Sequence, residues 1–104
     1  MDECIFCRIA QKTVPSDIVY EDEDFLVFPD IRPKAPIHLL IMPKKHIVSL
    51  MDVNQEDNEL VRELLLIAKK VAEEKNIKGY KLQMNVGKDG GQEIDHIHLH
   101  LLAQ

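Results

Sequence analysis

The sequence predicts an α+β fold: an antiparallel sheet of about five strands, one long helix packed on it and a short helix near the N-terminus. Three observations predict it. Residues 54–75 carry an apolar stripe of helical period. Short apolar or alternating runs of strand length stand on both sides of that stripe. The order of elements is a helix, several antiparallel-compatible strands, one long helix and two more strands. At 104 residues the chain fits one domain, residues 1–104, with no repeat, low-complexity tract or linker to divide it.

Residues 4–12 read as a short helix with Ile5, Phe6 and Ile9 on one side, stopped by Pro15. Residues 18–20 and 25–28 read as a strand pair joined across the acidic run 21–24. Residues 29–36 hold three prolines, so they form a loop rather than a helix or a central strand. Residues 37–42 are the third strand, ended by Pro43, and Lys44 and Lys45 read as its solvated end. Asn54 is placed to cap the long helix, whose stripe comprises Leu60, Val61, Leu64, Leu65, Ile67, Ala68, Val71 and Ala72. Residues 80–86 alternate as a strand, residues 87–91 form a glycine-rich loop, and residues 94–102 are the final strand.

Composition excludes several functions. Hydrophobic residues make up 45% and charged residues 30%, a globular balance rather than a disordered one. A net charge of −5 argues against non-specific nucleic-acid binding, which needs many basic side chains on one face. It leaves a small anionic ligand open. The N-terminus lacks the pattern of a signal peptide, and no apolar run reaches about 18 residues, so no membrane partner is expected. The expectation is a cytoplasmic protein whose two cysteines are reduced or metal-bound.

Three of the five histidines, His96, His98 and His100, alternate near the end of the chain. On a regular strand they share one face, with Ile97, Leu99 and Leu101 on the other. A merely solvated face would use Lys, Thr, Glu or Ser as readily. Imidazoles titrate near neutrality, so three together point to acid, base, nucleophile or ligand chemistry. One metal cannot take all three on a straight strand. Positions i and i+4 lie roughly 13 Å apart, whereas Zn–N bonds are about 2 Å. Covalent catalysis is the other reading: one histidine attacks phosphorus, its second nitrogen is tied to an acceptor, and nearby donors hold the non-bridging oxygens. The glycine loop just before supplies backbone N–H groups for an anion.

The run from His96 to Leu102 resembles the histidine-triad signature, in which three histidines alternate with apolar residues. The resemblance continues through Ile5-Phe6, Phe28-Pro29-Asp30-Ile31, Ala35-Pro36, His38, Pro43-Lys44-Lys45-His46, Asn85 and Asp89-Gly90-Gly91-Gln92, all similar to the Hint branch of that family. It implies a histidine-triad fold and a homodimer. It also implies hydrolysis of nucleoside 5′-phosphoramidates, typically purine ones, and of related monophosphate esters or acyl adenylates. By resemblance His98 attacks the α-phosphorus, His100 contacts phosphate and aids proton transfer, and His96 and His38 complete the catalytic group. Asp30 matches the ribose-binding acid, and Phe6, Phe28 and Ile31 match positions around the base. Asn85, Gly91 and Gln92 match nucleotide contacts. Glu93 stands where the branch commonly has Ser on the phosphate. Relatives also continue for a longer C-terminal segment, so a more open leaving-group side is expected.

Cys4 and Cys7 form a CxxC, open to three readings: a redox pair, half a zinc site, or two buried side chains. A redox pair would want a βαβ context, and structural zinc needs four ligands. Bacterial members of the family and distant galactose-phosphate uridylyltransferases resemble this chain in placing CxxC near the N-terminus. That resemblance implies Zn2+ held by Cys4, Cys7, His46 and His96. Three competing functions remain: a nucleotide-binding adaptor without turnover, a dinucleoside polyphosphate hydrolase, against which Asn85 argues, and a metal-storage or metal-sensing protein built on the CxxC and the alternating histidines, against which the asparagine, glycine and aspartate framework argues.

Overall fold

A computed structural model describes residues 3–104. Its sheet has five antiparallel strands in the order β1-β2-β3-β5-β4: β1 is Tyr20–Glu21, β2 Phe25–Pro29, β3 Ile37–Pro43, β4 Lys81–Gln83 and β5 Leu99–Ala103. Helix α1 is Ile5–Ala10 and helix α2 is Asn58–Glu74. The predicted fold class is therefore borne out.

Alternation along the strands sorts their side chains onto two faces. Phe25 and Val27, Leu39 and Ile41, and Leu99 and Leu101 pack under α2 with Leu64, Ile67, Ala68 and Val71. Leu26 and Phe28, with Leu40 and Met42, face the other way and are covered by Phe6 and Ile9 of α1. The α1 face is the one that carries histidines, since His38 and His100 stand between the apolar positions of the α2 face.

Several boundaries differ from expectation. Helix α1 is shorter than residues 4–12, because Cys4 is its cap and its sulfur accepts the Cys7 N–H at 3.4 Å. Strand β1 starts two residues later than expected and ends one later, and Asp22 closes the turn by accepting the N–H groups of Asp24 and Phe25. Asn54 caps a 3-10 turn, Gln55–Asp57, that runs into α2. Leu65 does not join the buried stripe; it is half-exposed. Lys44 and Lys45 are not simply solvated: they bind Glu21 and the buried carboxylate of Asp57, each at 2.7 Å.

The two largest corrections fall on the last strands. Strand β4 covers three residues rather than 80–86, pairing only from Lys81↔Leu102 to Gln83↔His100. Strand β5 starts at Leu99, so His96 and His98 precede it. The cause is Pro43. In the β3–β5 register Ile41 pairs with Leu99, which would set Pro43 against Ile97. Proline has no N–H to give a ladder. Ile97 instead donates to the carbonyl of Ile47 at 2.7 Å.

Candidate active site and metal centre

The four site histidines other than His46 occupy two structural settings. His38 and His100 stand on paired strands, His100 beside Leu40 in register. Their rings meet, with His38 Nε2 and His100 Nδ1 2.9 Å apart. The backbone N–H of Lys34 donates to His38 Nδ1 at 3.1 Å. That bond makes Nδ1 an acceptor, so neutral His38 carries its proton on Nε2 and donates it to His100. Neutral His100 then presents Nε2–H as a donor. Burial, with His98 and His38 close by, pushes His100 down to about 4, which keeps it neutral. Asp30 lies 3.5 Å from His38 Nε2, so a carboxylate borders the same group.

His96 and His98 sit on the stretch before β5. His98 Nδ1 donates to the carbonyl of His96 at 2.7 Å. This fixes the tautomer and leaves Nε2 with its lone pair, the form a nucleophile needs. His98 is only 7% exposed, and burial holds its ring below the usual imidazole range, towards the neutral state. Its ring is 5.0 Å from that of His100 and 5.0 Å, edge to face, from Phe6. Phe6 also meets Phe28 edge to face at 5.4 Å. Beside Asp30 a cleft of about 400 Å³ is lined by Pro15, Ser16, Asp17, Pro29, Asp30 and Ile31. Ile31 is 92% exposed at its rim, free to meet a flat ring.

The loop 87–91 precedes the histidine stretch and is held by Asn85 and Gln92. Asn85 donates from Nδ2 to the carbonyl of Gly91 at 3.1 Å. Gly91 has φ +85°, and a Cβ there would press on the Asn85 side chain at 3.2 Å, so glycine is favoured. The side chain of Gln92 is buried and fully engaged. Its oxygen accepts the Gly87 N–H, and its Nε2 donates to the carbonyls of Val48 and Ile94. Glu93 is exposed. Sequence reasoning missed Gln83, whose amide donates to Asn85 Oδ1 at 2.9 Å and so sets which end of Asn85 faces Gly91. It also missed the backbone groups of Lys34 and Pro43, which carry no residue-type signal.

His96 is fully buried and turned toward the cysteines. Its Nε2 donates to the Pro43 carbonyl at 2.7 Å, leaving the Nδ1 lone pair pointed at Cys4 Sγ, 3.5 Å away, and Cys7 Sγ, 3.6 Å away. His46 Nδ1 lies 3.2 Å from Cys7 Sγ. Tetrahedral zinc, with Zn–S of about 2.3 Å and Zn–N of about 2.0–2.1 Å, sets its ligand atoms roughly 3.3–3.8 Å apart. All four ligand atoms lie within 4.8 Å of one another. The soft sulfurs and neutral imidazoles fit a structural metal ion. Burial pushes the Cys7 thiol up to about 11, so metal binding there displaces protons.

A tautomer-locked histidine just ahead of the last strand, its ring 5.0 Å from a donor histidine on that strand, defines a class of protein, one whose site suits attack on phosphorus. Residues 3–104 match the family described as "Scavenger mRNA decapping enzyme C-term binding". The chain is 44% identical over 104 residues to the purine nucleoside phosphoramidase of Escherichia coli strain K12, covering 98% of this chain and 87% of that one. A HIT family hydrolase from Legionella pneumophila Philadelphia 1 superposes with a TM-score of 0.94 at 52% identity, covering 97% of this chain and 92% of that one. A zinc-bound histidine triad protein from Mycobacterium smegmatis superposes with a TM-score of 0.87 at 34% identity, covering 99% of this chain and 76% of that one. The chain belongs to the histidine-triad family.

Proposed function

We propose that this chain is a histidine-triad hydrolase of the phosphoramidase type, acting on nucleoside 5′-phosphoramidates and related nucleoside monophosphate esters, with purine nucleotides as the preferred class. The single observation that carries the reading is the bond from His98 Nδ1 to the His96 carbonyl, which frees Nε2 for attack. Identity to the Escherichia coli purine nucleoside phosphoramidase supports the substrate class. His98 Nε2 bonds to the α-phosphorus as the P–N bond to the amine breaks; the leaving amine takes a proton from solvent, which the water of the second step gives back. The phosphorylated imidazole then carries a positive charge, which the His96 carbonyl steadies through Nδ1–H. Water cleaves the nucleotidyl-histidine, releasing the nucleoside monophosphate and restoring the neutral ring.

In this reading the other residues bind and orient. His100 donates from Nε2 to a non-bridging oxygen and His38 holds its tautomer. Asp30 takes the ribose hydroxyls, and Phe6, Phe28 and Ile31 line the base. Asn85, Gly91 and Gln92 shape the phosphate loop, with Glu93 at its exposed edge. Cys4, Cys7, His46 and His96 hold Zn2+, which when bound supplies a structural tie rather than reaction chemistry. A homodimer is part of the reading: β4 is an edge strand with Leu82 exposed, and Leu65 and Leu66 on α2 are exposed as well. No helix among the described residues is long and apolar enough to cross a membrane. We place the protein in the cytoplasm as one domain, where its thiols stay reduced.

The test is hydrolysis of adenosine 5′-phosphoramidate by wild-type protein and by His98→Ala. Turnover in the wild type that falls by about a thousandfold or more in the variant is expected. AMP binding without turnover in either would sink the hydrolase reading and leave a binding module.

A further inference from the structure

The stretch that carries the nucleophile is held by unusual means. Residues 94–98 lie outside the ladder, and their backbone is held by His96 N–H to the Ile94 carbonyl, Ile97 N–H to the Ile47 carbonyl, and the side chains of Gln92 and His98 on the carbonyls of Ile94 and His96. His96 works at both ends. Its ring is fixed between Pro43 and the two sulfurs, while its carbonyl holds His98 Nδ1. Phe6 makes a second link. It lies between Cys4 and Cys7 in the chain, and its ring stands 5.8 Å from His96 and 5.0 Å from His98. Ile47, which anchors Ile97, is the direct neighbour of His46.

We propose that His96 and Phe6 are positioning residues that make the orientation of His98 depend on a metal bound by Cys4, Cys7, His46 and His96. The inference rests on the zinc reading above and goes beyond a purely structural metal. A metal on these four groups joins three separate pieces: the start of α1, the stretch after β3 and the stretch before β5. Each piece touches the nucleophile or its anchor. With the four ligands unjoined, His98 is held by packing against Phe6 of a six-residue helix and by a few hydrogen bonds: Ile97 to Ile47, Gln92 to Ile94, and its own Nδ1 to His96. The expected result is a ring that samples both tautomers, and a nucleophile that presents its lone pair for only part of the time.

The test uses the full chain with 15N-labelled histidine at one neutral pH. Long-range 15N–1H spectra read each imidazole's tautomer, and metal analysis reads zinc content. Four samples are compared: zinc-loaded wild type, chelator-stripped wild type, His46→Ala and His46→Cys. Loaded wild type is expected to show His98 protonated on Nδ1 alone. Stripped protein and His46→Ala are expected to show averaged tautomers, with kcat about tenfold lower and KM within about twofold. His46→Cys, which keeps four ligands, restores both. The same His98 spectrum and kcat with zinc present and removed would overturn the coupling and leave the metal site standing. Unfolding of the stripped protein, seen by circular dichroism, would overturn it in favour of a purely structural metal. Wild type that takes up no zinc overturns the zinc reading and the coupling together.

Discussion

His38 and His100 are held by the sheet, whereas His96 and His98 are held by their own side chains. The first pair stands on β3 and β5, where strand pairing already fixes backbone direction and spacing. The second pair lies past Pro43, where pairing has stopped, and each ring is tied to a carbonyl instead. The difference teaches where precision comes from in this site. A ladder position needs one ring contact to finish it. A position beyond the ladder needs an anchor at each end, and the Cys4–Cys7–His46 group stands where such an anchor is wanted.

Three substitutions test that contrast, beginning with the largest effect. Leu101 is fully buried on β5 beneath α2. Leu101→Ala should cost about 2–5 kcal/mol in urea unfolding. A loss well under 1 kcal/mol would mean that the ladder is not what carries His100. Next, His38→Phe removes the donor to His100 while leaving the volume filled. Turnover should fall by about a hundredfold, and zinc content should stay unchanged. Zinc lost together with activity would join the two pairs into a single unit and break the comparison.

The smallest effect is one of pH. His100 accepts a proton near pH 4 in the folded chain, against 6.5 for an unperturbed ring. Unfolded chains therefore bind a proton that the folded chain refuses across that interval. The contribution to stability is complete above about pH 6.5 and is lost progressively as the pH falls to about 4. His100→Asn should make the urea midpoint less sensitive across that window than in wild type. An equal slope in both proteins would place the acid sensitivity elsewhere.

Much of this was legible in the sequence. The stripe of Leu64, Ile67, Ala68 and Val71 announces α2, and alternation in Ile97, Leu99 and Leu101 announces β5. The triad spacing announces the chemistry, and resemblance points to His46 and His96 as partners of the cysteines. The rest was hidden for physical reasons. Alternation continues through His96 and His98 although pairing does not, because the residue that ends the ladder, Pro43, sits some fifty residues away in the sequence. The Lys34 N–H and the His96 carbonyl do essential work, yet every residue has such groups. Leu65 fits the helical stripe by period but stands half-exposed, since periodicity cannot say how wide the covered face is.

The tetrad has one further consequence, for assembly. Its ligand pair Cys4 and His96 is separated by 92 positions. Local turns form early in folding, and contacts of such long range close late. A metal held there would tie the beginning of the chain to the segment of His98, closing a loop of almost the whole sequence. A chain that has not yet reached His96 lacks the fourth ligand, so the full tetrad can form only once nearly the whole sequence is present.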